Sequence, residues 1–205
     1  MTAKDSPSLA RQKWLEALVH ALRPYFSKAG FAVPANVRVS IGWPRGSHGR
    51  GKAIGQCWSD SASSDKHHEI FISPALTDSV QIVGVMVHEL VHAVVGTKAG
   101  HKGEFKSAAL AVGLEGKMTA TTSGPELTSW SKDFVKSEGK YPGGAINDSA
   151  RKKEGTRLIK CECTTCGYIV RTTKKWIEEK GAPYCGSVSH GRMGSDYEGD
   201  EGEGE

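Results

Sequence analysis

Residues 78 to 96 read Asp78-Ser79-Val80-Gln81-Ile82-Val83-Gly84-Val85-Met86-Val87-His88-Glu89-Leu90-Val91-His92-Ala93-Val94-Val95-Gly96. Val80, Val83, Val87, Leu90, Val91 and Val94 recur at intervals of three and four, the period of one helix face. Asp78 has the short acceptor side chain of an N-cap, with Gln81 as reciprocal partner of a capping box, and Gly96 supplies the stop. The stretch predicts one capped helix whose spacing also carries chemistry. His88 and His92 stand at i and i+4, so two imidazoles project from one face toward a single cation. Glu89 lies beside them without being a ligand and can take a proton from water held there. Zinc on three protein ligands keeps a fourth position open and brings the pKa of water there to about 7.

A third ligand must come from outside the helix. His101 is the leading candidate, because Gly96 and Gly100 let the chain leave the helix and turn a side chain back. Glu104 or Glu115 would complete a set of two histidines and a carboxylate instead. His67 and His68 alternate faces on a strand-like run and read as surface or core residues, while His20 and His48 carry no readable signal.

Around this helix the pattern predicts an α+β chain. Residues 9–28 place Leu15, Leu18, Val19, Leu22 and Phe26 at helical spacing. Strand-like runs follow at Val37–Trp43, Ala53–Trp58 and His68–Ser73. Further helices are expected over Phe105–Val112 and Pro125–Glu138, the second with Leu127, Trp130 and Phe134 on one side. Cys57 reads as a core thiol and Met118 as a core methionine. The expected organisation is a domain over 1–139, a Gly-, Ser- and Lys-rich linker over 140–156, a small cysteine-rich module over 157–193, and a disordered acidic tail over 194–205.

Charge is divided along the same lines. The 205 residues sum to +4. That sum is +4 over residues 1–150, +6 over 151–192 and −6 over the rest. With 38% hydrophobic residues a packed core is within reach and wholesale disorder is not expected. The opening MTAKDSPSLARQKW has no apolar signal-like stretch, and the most apolar run, Ile82–Val87, is far short of a membrane span. These features predict a cytoplasmic protein without a membrane partner.

Of five cysteines, four crowd between Cys161 and Cys185, which favours metal over disulfides. Cys163-Thr164-Thr165-Cys166-Gly167 has the form of a zinc knuckle, and Cys185 with His190 follows after a gap of 18 residues. Cys163, Cys166, Cys185 and His190 give a closed set for structural zinc, with Cys161 as the alternative to His190. So small a module has too little core and needs the metal to fold. Basic residues surround it, and Lys160, Arg171, Lys174, Lys175 and Lys180 are the candidate contacts to nucleic acid. Tyr168 and Tyr184 are placed to stack on bases, while Trp176 reads as packed on the knuckle.

The stretch HELVHAVVGTKAGHKGEFKSAA resembles the SprT-like zinc metallopeptidases, the family that includes the Spartan proteases. Gly100-His101-Lys102-Gly103-Glu104-Phe105 is similar to their segment carrying the third histidine, with Lys102 inserted and a shorter spacing from His92. Gly42-Trp43-Pro44, Glu69-Ile70-Phe71-Ile72-Ser73-Pro74 and Leu114-Glu115-Gly116-Lys117-Met118-Thr119 look like the bacteriophage-encoded members. The resemblance spans about Val39 to Met193. It implies a zincin-like domain with His88, His92 and His101 on a catalytic zinc and Glu89 as general acid and base. It also implies a C-terminal zinc ribbon, an extended substrate paired to an edge strand such as His68–Ser73 or a neighbour, and cleavage of proteins attached to DNA. A phage-encoded member would act in the host-cell cytoplasm.

Two zinc ions are therefore expected, one catalytic and one structural, in a metalloendopeptidase directed to DNA-associated proteins by its ribbon. The alternative is a non-catalytic nucleic-acid-binding or virion-assembly protein that retains the protease fold. Glu89 favours the enzyme, since a structural site needs no base.

Overall fold

The helix predicted over 79–95 is the centre around which the first unit is built. The computed structural model describes residues 7–45, 53–147 and 158–197, and the chain divides into two units, 1–148 and 149–205. The architecture is mixed α and β. In the first unit α1 spans Pro7–Lys28, β1 Val37–Ile41, β2 Gly55–Trp58, β3 His68–Ile72 and α2 Ser79–Val95. There follow α3 at Glu104–Ala111, β4 at Leu114–Lys117, β5 at Ala120–Ser123 and α4 at Pro125–Glu138.

The α2 cap forms through Gln81 N–H, which donates to Asp78 Oδ1 at 2.7 Å. Ile82, Val83, Met86, Val87, Leu90 and Val91 are all 0% exposed, so the helix is buried nearly all round rather than along one stripe. Each such side chain contributes on the order of 1.5–3 kcal/mol by leaving water. α1 adds Leu15, Leu18, Leu22 and Phe26 to the same core, and α4 adds Leu127 and Phe134.

The three-stranded sheet has the order β1-β3-β2, with β1 parallel and β2 antiparallel to β3. Val39 pairs with Ile70 and faces the core, while Arg38 pairs with Glu69 on the outer face. There Arg38 also reaches Asp65 at 2.8 Å, which ties the 59–66 loop to the sheet. The run His68–Ser73, named with its neighbours as a possible pairing edge, is thus the central strand, and its neighbours β1 and β2 are the edge strands.

Two further expectations are corrected. Residues 139–147 dock on the first unit instead of leaving it as linker. Tyr141 is buried and donates its N–H to Ser79 Oγ at 2.9 Å, Arg11 Nε donates to Pro142 O at 2.9 Å, and Ile146 N–H donates to Pro74 O at 2.9 Å. The aromatic ring of Tyr141 lies edge-on to Trp14, and that packing is what a composition-based linker reading misses. The rest of the expected linker, 148–156, lies outside the described residues.

In the second unit β6 spans Leu158–Glu162, β7 Ile169–Thr173, α5 Lys174–Lys180 and β8 Gly194–Ser195, in the sheet order β7-β6-β8. Its small core holds Cys161, Ile177 and Met193 with Ile159, Val170 and Tyr197. Residues 194–197, expected in the disordered tail, are therefore part of this unit: β8 pairs with Cys161 and Glu162, and Tyr197 packs on the core. Residues 198–205 lie outside the described residues. Among the described residues no helix is long and apolar enough to cross a membrane.

Candidate metal centres and their cleft

The α2 helix presents His88 and His92 one turn apart, and the chain brings His101 back to them. It leaves α2 at Gly96, makes a short turn over Thr97–Ala99, and reverses at Gly100, whose φ of 59° and ψ of −130° only glycine adopts without strain. His101 Nε2 then lies 3.2 Å from His88 Nε2 and 3.2 Å from His92 Nε2. Beneath all three rings sits Phe105, fully buried at the start of α3, with centroid distances of 4.4 Å to His92, 4.9 Å to His101 and 5.0 Å to His88. The Gly-rich turn and this aromatic floor together decide the third position. Glu104 and Glu115 are exposed and stand outside the cluster.

The spacing can be tested against a shared cation. Two nitrogens bound to zinc at about 2.05 Å and the tetrahedral angle stand about 3.3 Å apart. The observed separations are within about 0.1 Å of that edge. Burial holds the imidazole of His88 down at about 4 and that of His92 at about 3, the neighbouring rings adding to the effect; burial also lowers His101. Three neutral imidazoles converging by Nε2 are a donor set that could hold a metal ion. His88 Nδ1 is hydrogen-bonded to Thr121 Oγ1 at 2.8 Å, and a metal on Nε2 would require Nδ1 to be the donor.

Glu89 lies under β2, against Gly55, and is 6% exposed. Burial pushes its carboxyl up to about 8, while the Cys57 backbone N–H pulls it down. Cys57 packs against the core, as its sequence reading expects, and also lines the cleft beside Glu89; burial together with that carboxylate pushes its thiol up to about 12. Gly55 makes the close approach of β2 possible, because a β-carbon there would stand 2.5 Å from Glu89 Oε1.

The three histidines and Glu89 open into a cleft of about 1070 Å³. One wall is β2 with Ala53 and Ile54, the other is Thr119–Ser123 of the β4–β5 hairpin, and α2 is the floor. The free edge of β2 runs along this cleft. Sequence reasoning does not find the hairpin wall or Thr121, because β4 and β5 carry a single buried apolar residue, Leu114, and show no alternation to read. Met118 is partly buried against the core, as its ordinary reading expects. His67 Nδ1 bonds to Asp65 O and His68 begins β3; neither enters the cluster.

In the second unit Cys163, Cys166, Cys185 and His190 bring their ligand atoms within 4.8 Å of one another. Cys166 Sγ and Cys185 Sγ are 3.7 Å apart, and Cys185 Sγ is 3.6 Å from His190 Nδ1. A tetrahedral zinc with Zn–S of about 2.3 Å requires about 3.8 Å and about 3.6 Å for those edges. The Cys166 and Thr165 backbone N–H groups turn toward Cys163, whose thiol is held down at about 6. Cys161, the alternative ligand, is 0% exposed and faces the core with Ile177 and Met193 instead. Cys161 lies within β6 and Cys163 follows its last residue, Glu162, so only Cys163 turns with the knuckle.

The basic candidates divide. Lys160 pairs with Glu162, Lys174 with Glu178 at 3.5 Å and Lys175 with Glu179 at 3.9 Å, so three of five already face an acid. Arg171 and Lys180 have no ion pair among the described residues. Residues 158–192 carry six basic and three acidic side chains, a net +3, and the other +3 of the +6 comes from Arg151, Lys152, Lys153 and Arg157 with Glu154, outside the described residues. Trp176 is 50% exposed with Lys175 Nζ 5.4 Å from its ring centroid. The knuckle-side position expected for it is taken by Ile177, since α5 turns that next residue inward. Tyr168 and Tyr184 are exposed, the latter under the Arg192 guanidinium at 5.2 Å.

Comparison of the chain with protein-family models, with curated proteins and with solved structures finds no match.

Proposed function

We propose that the chain is a zinc-dependent endopeptidase, a zincin-like unit followed by a zinc ribbon. The observation that carries the reading is the buried carboxyl of Glu89 one residue from His88, in a cleft whose three histidines meet at the tetrahedral edge length. His88, His92 and His101 would hold the catalytic zinc, and Cys163, Cys166, Cys185 and His190 the structural one. When bound, zinc supplies a Lewis acid for the scissile carbonyl and acidifies water at the open position.

The chain's own residues do the rest. The free edge of β2 offers backbone N–H and C=O groups to an extended peptide lying along the cleft. Glu89 takes a proton from the attacking water and delivers it to the leaving amine nitrogen. The Cys57 N–H stabilises its carboxylate under the strand against the burial that raises its pKa. The walls formed by β2 and by Thr119–Ser123 limit access of bulk water to this point.

The same reading gives the second unit the task of bringing the peptidase to DNA-bound proteins. Its support is Arg171, Lys180 and the Arg192–Tyr184 stack, with exposed Tyr168 and Trp176 as further surfaces for bases.

The test is cleavage by the full-length, zinc-loaded chain of an unstructured protein and of a DNA-bound protein, with and without DNA. The wild type is expected to release new N-termini readable by mass spectrometry. Glu89→Gln should lose this activity with unchanged zinc content. A wild type carrying two equivalents of zinc that cleaves none of these substrates would sink the proposal.

A further inference from the structure

The β4–β5 hairpin carries no ligand, yet two of its side chains reach α2 one turn apart. Thr121 Oγ1 lies within hydrogen-bond distance of His88 Nδ1, at 2.8 Å. Ser123, two residues on and on the same face of β5, lies over Gly84, where an added β-carbon would come within 2.7 Å of its Oγ. The spacings match: four residues of helix rise about 6 Å and two of strand about 6.8 Å. The strand therefore lies along the helix, with Ser123 seated at Gly84 and Thr121 at His88.

We infer that the β4–β5 hairpin is the outer clamp of the three-histidine centre, with Thr121 fixing the ring of His88 and Gly84 providing the seat that brings Thr121 within reach. The inference rests on the reading of His88, His92 and His101 as a metal site. His88 needs its Nε2 lone pair inward and its proton on Nδ1; the Thr121 acceptor enforces both the tautomer and the ring orientation. His92 shows what the clamp adds. Its Nδ1 is buried with no partner among the described residues, so its ring is oriented only by packing on Phe105. A β-carbon at position 84 meets Ser123 Oγ at 2.7 Å but Ser123 Cβ only at 4.0 Å, so a methyl would turn the hydroxyl aside, whereas a branched side chain would lift Ser123 and the hairpin away from His88.

The experiment titrates Co2+ and Zn2+ into the metal-free, full-length chain against a competing chelator. Sulfur-to-cobalt charge-transfer bands belong to the cysteine site alone, so the two sites are read separately. Thr121→Val and Gly84→Val are expected to weaken metal binding at the histidine site about 10–100-fold. Thr121→Ser, which keeps the hydroxyl, should stay within about threefold of wild type, and the cysteine site should be unchanged in all. Wild-type affinity at the histidine site in Thr121→Val overturns the clamp and leaves the metal reading standing. A wild-type chain that takes up metal only at the cysteine site refutes the reading underneath, and the clamp with it. Gly84→Val tests the seat without touching Thr121, so wild-type affinity there overturns the clamp even where Thr121→Val fails to fold.

Discussion

Gly55 and Glu89 are locked by close approach: a β-carbon at Gly55 would stand 2.5 Å from Glu89 Oε1, 3.0 Å from its Cγ and 2.6 Å from Val85 Cγ1. An added methyl cannot avoid both neighbours, because one is the carboxylate and the other a branched side chain on the buried helix. Gly55→Ala must therefore move β2 or displace Glu89. The expected result is a loss of about 1–3 kcal/mol in stability from overpacking and a fall of about 10–100-fold in cleavage rate from a misplaced base. Thermal unfolding and kcat/KM read the two effects. A Gly55→Ala chain with wild-type values in both would show that the strand has room to spare.

The buried groups of the cleft set opposite pH limits on the metal-free protein. Burial lowers His88 from 6.5 to about 4 and His92 to about 3, so the unfolded chain binds their protons first and stability falls as pH drops below 6.5. Glu89 is raised from 4.5 to about 8; the folded chain keeps a proton that the unfolded chain gives up, and stability falls as pH rises between those values. Glu89→Gln removes the second loss only. Hydrogen exchange of α2 amides in the presence of chelator should show no stabilisation by Glu89→Gln below pH 4.5 and a growing one toward pH 8. A difference that does not change with pH would contradict the assignment.

Removing metal should separate the two units. The second unit's buried set is Cys161, Cys163, Ile177, Cys185 and Met193, too little apolar surface to hold a fold without a cross-link. Chelation, or Cys166→Ser, is expected to collapse the amide dispersion of residues 158–197 while α2 stays protected. Retention of that dispersion in metal-free protein would mean that the small core suffices alone.

For nucleic acid, the ion pairs rank the basic residues. Charge reversal at Arg171 and Lys180 should weaken binding more than reversal at Lys174 and Lys175, whose partners Glu178 and Glu179 already neutralise part of their field. Removing one phosphate-neutralising side chain should lower the slope of log affinity against log salt by about 0.7–0.9. Salt-independent binding, or equal weakening by both pairs of reversals, would argue against this surface.

Legibility varied with how local the determining forces are. Asp78, Gly96 and the valine spacing made α2 readable, and with it His88, Glu89 and His92, because helix periodicity fixes which side chains share a face. Cys163, Cys166, Cys185 and His190 were readable for a similar reason, since knuckle spacing is short-range. Gly96 and Gly100 made His101 the leading third position over Glu104 and Glu115, but what fixes it there, the Gly100 backbone dihedrals and Phe105 packing under three rings, was not readable. The place of β3 in the middle of its sheet, the docking of Tyr141 and the outward turn of Trp176 also depend on partners distant in sequence or on which face the core takes.

Sequence by itself determined which residues can bind metal and which can move a proton, since those capacities reside in side-chain chemistry and helical spacing. Tertiary structure decided how they are used. It put Gly55 over Glu89, Thr121 behind His88 and the edge of β2 along the cleft. Each of these arrangements is selected by close packing around α2, which no local pattern encodes.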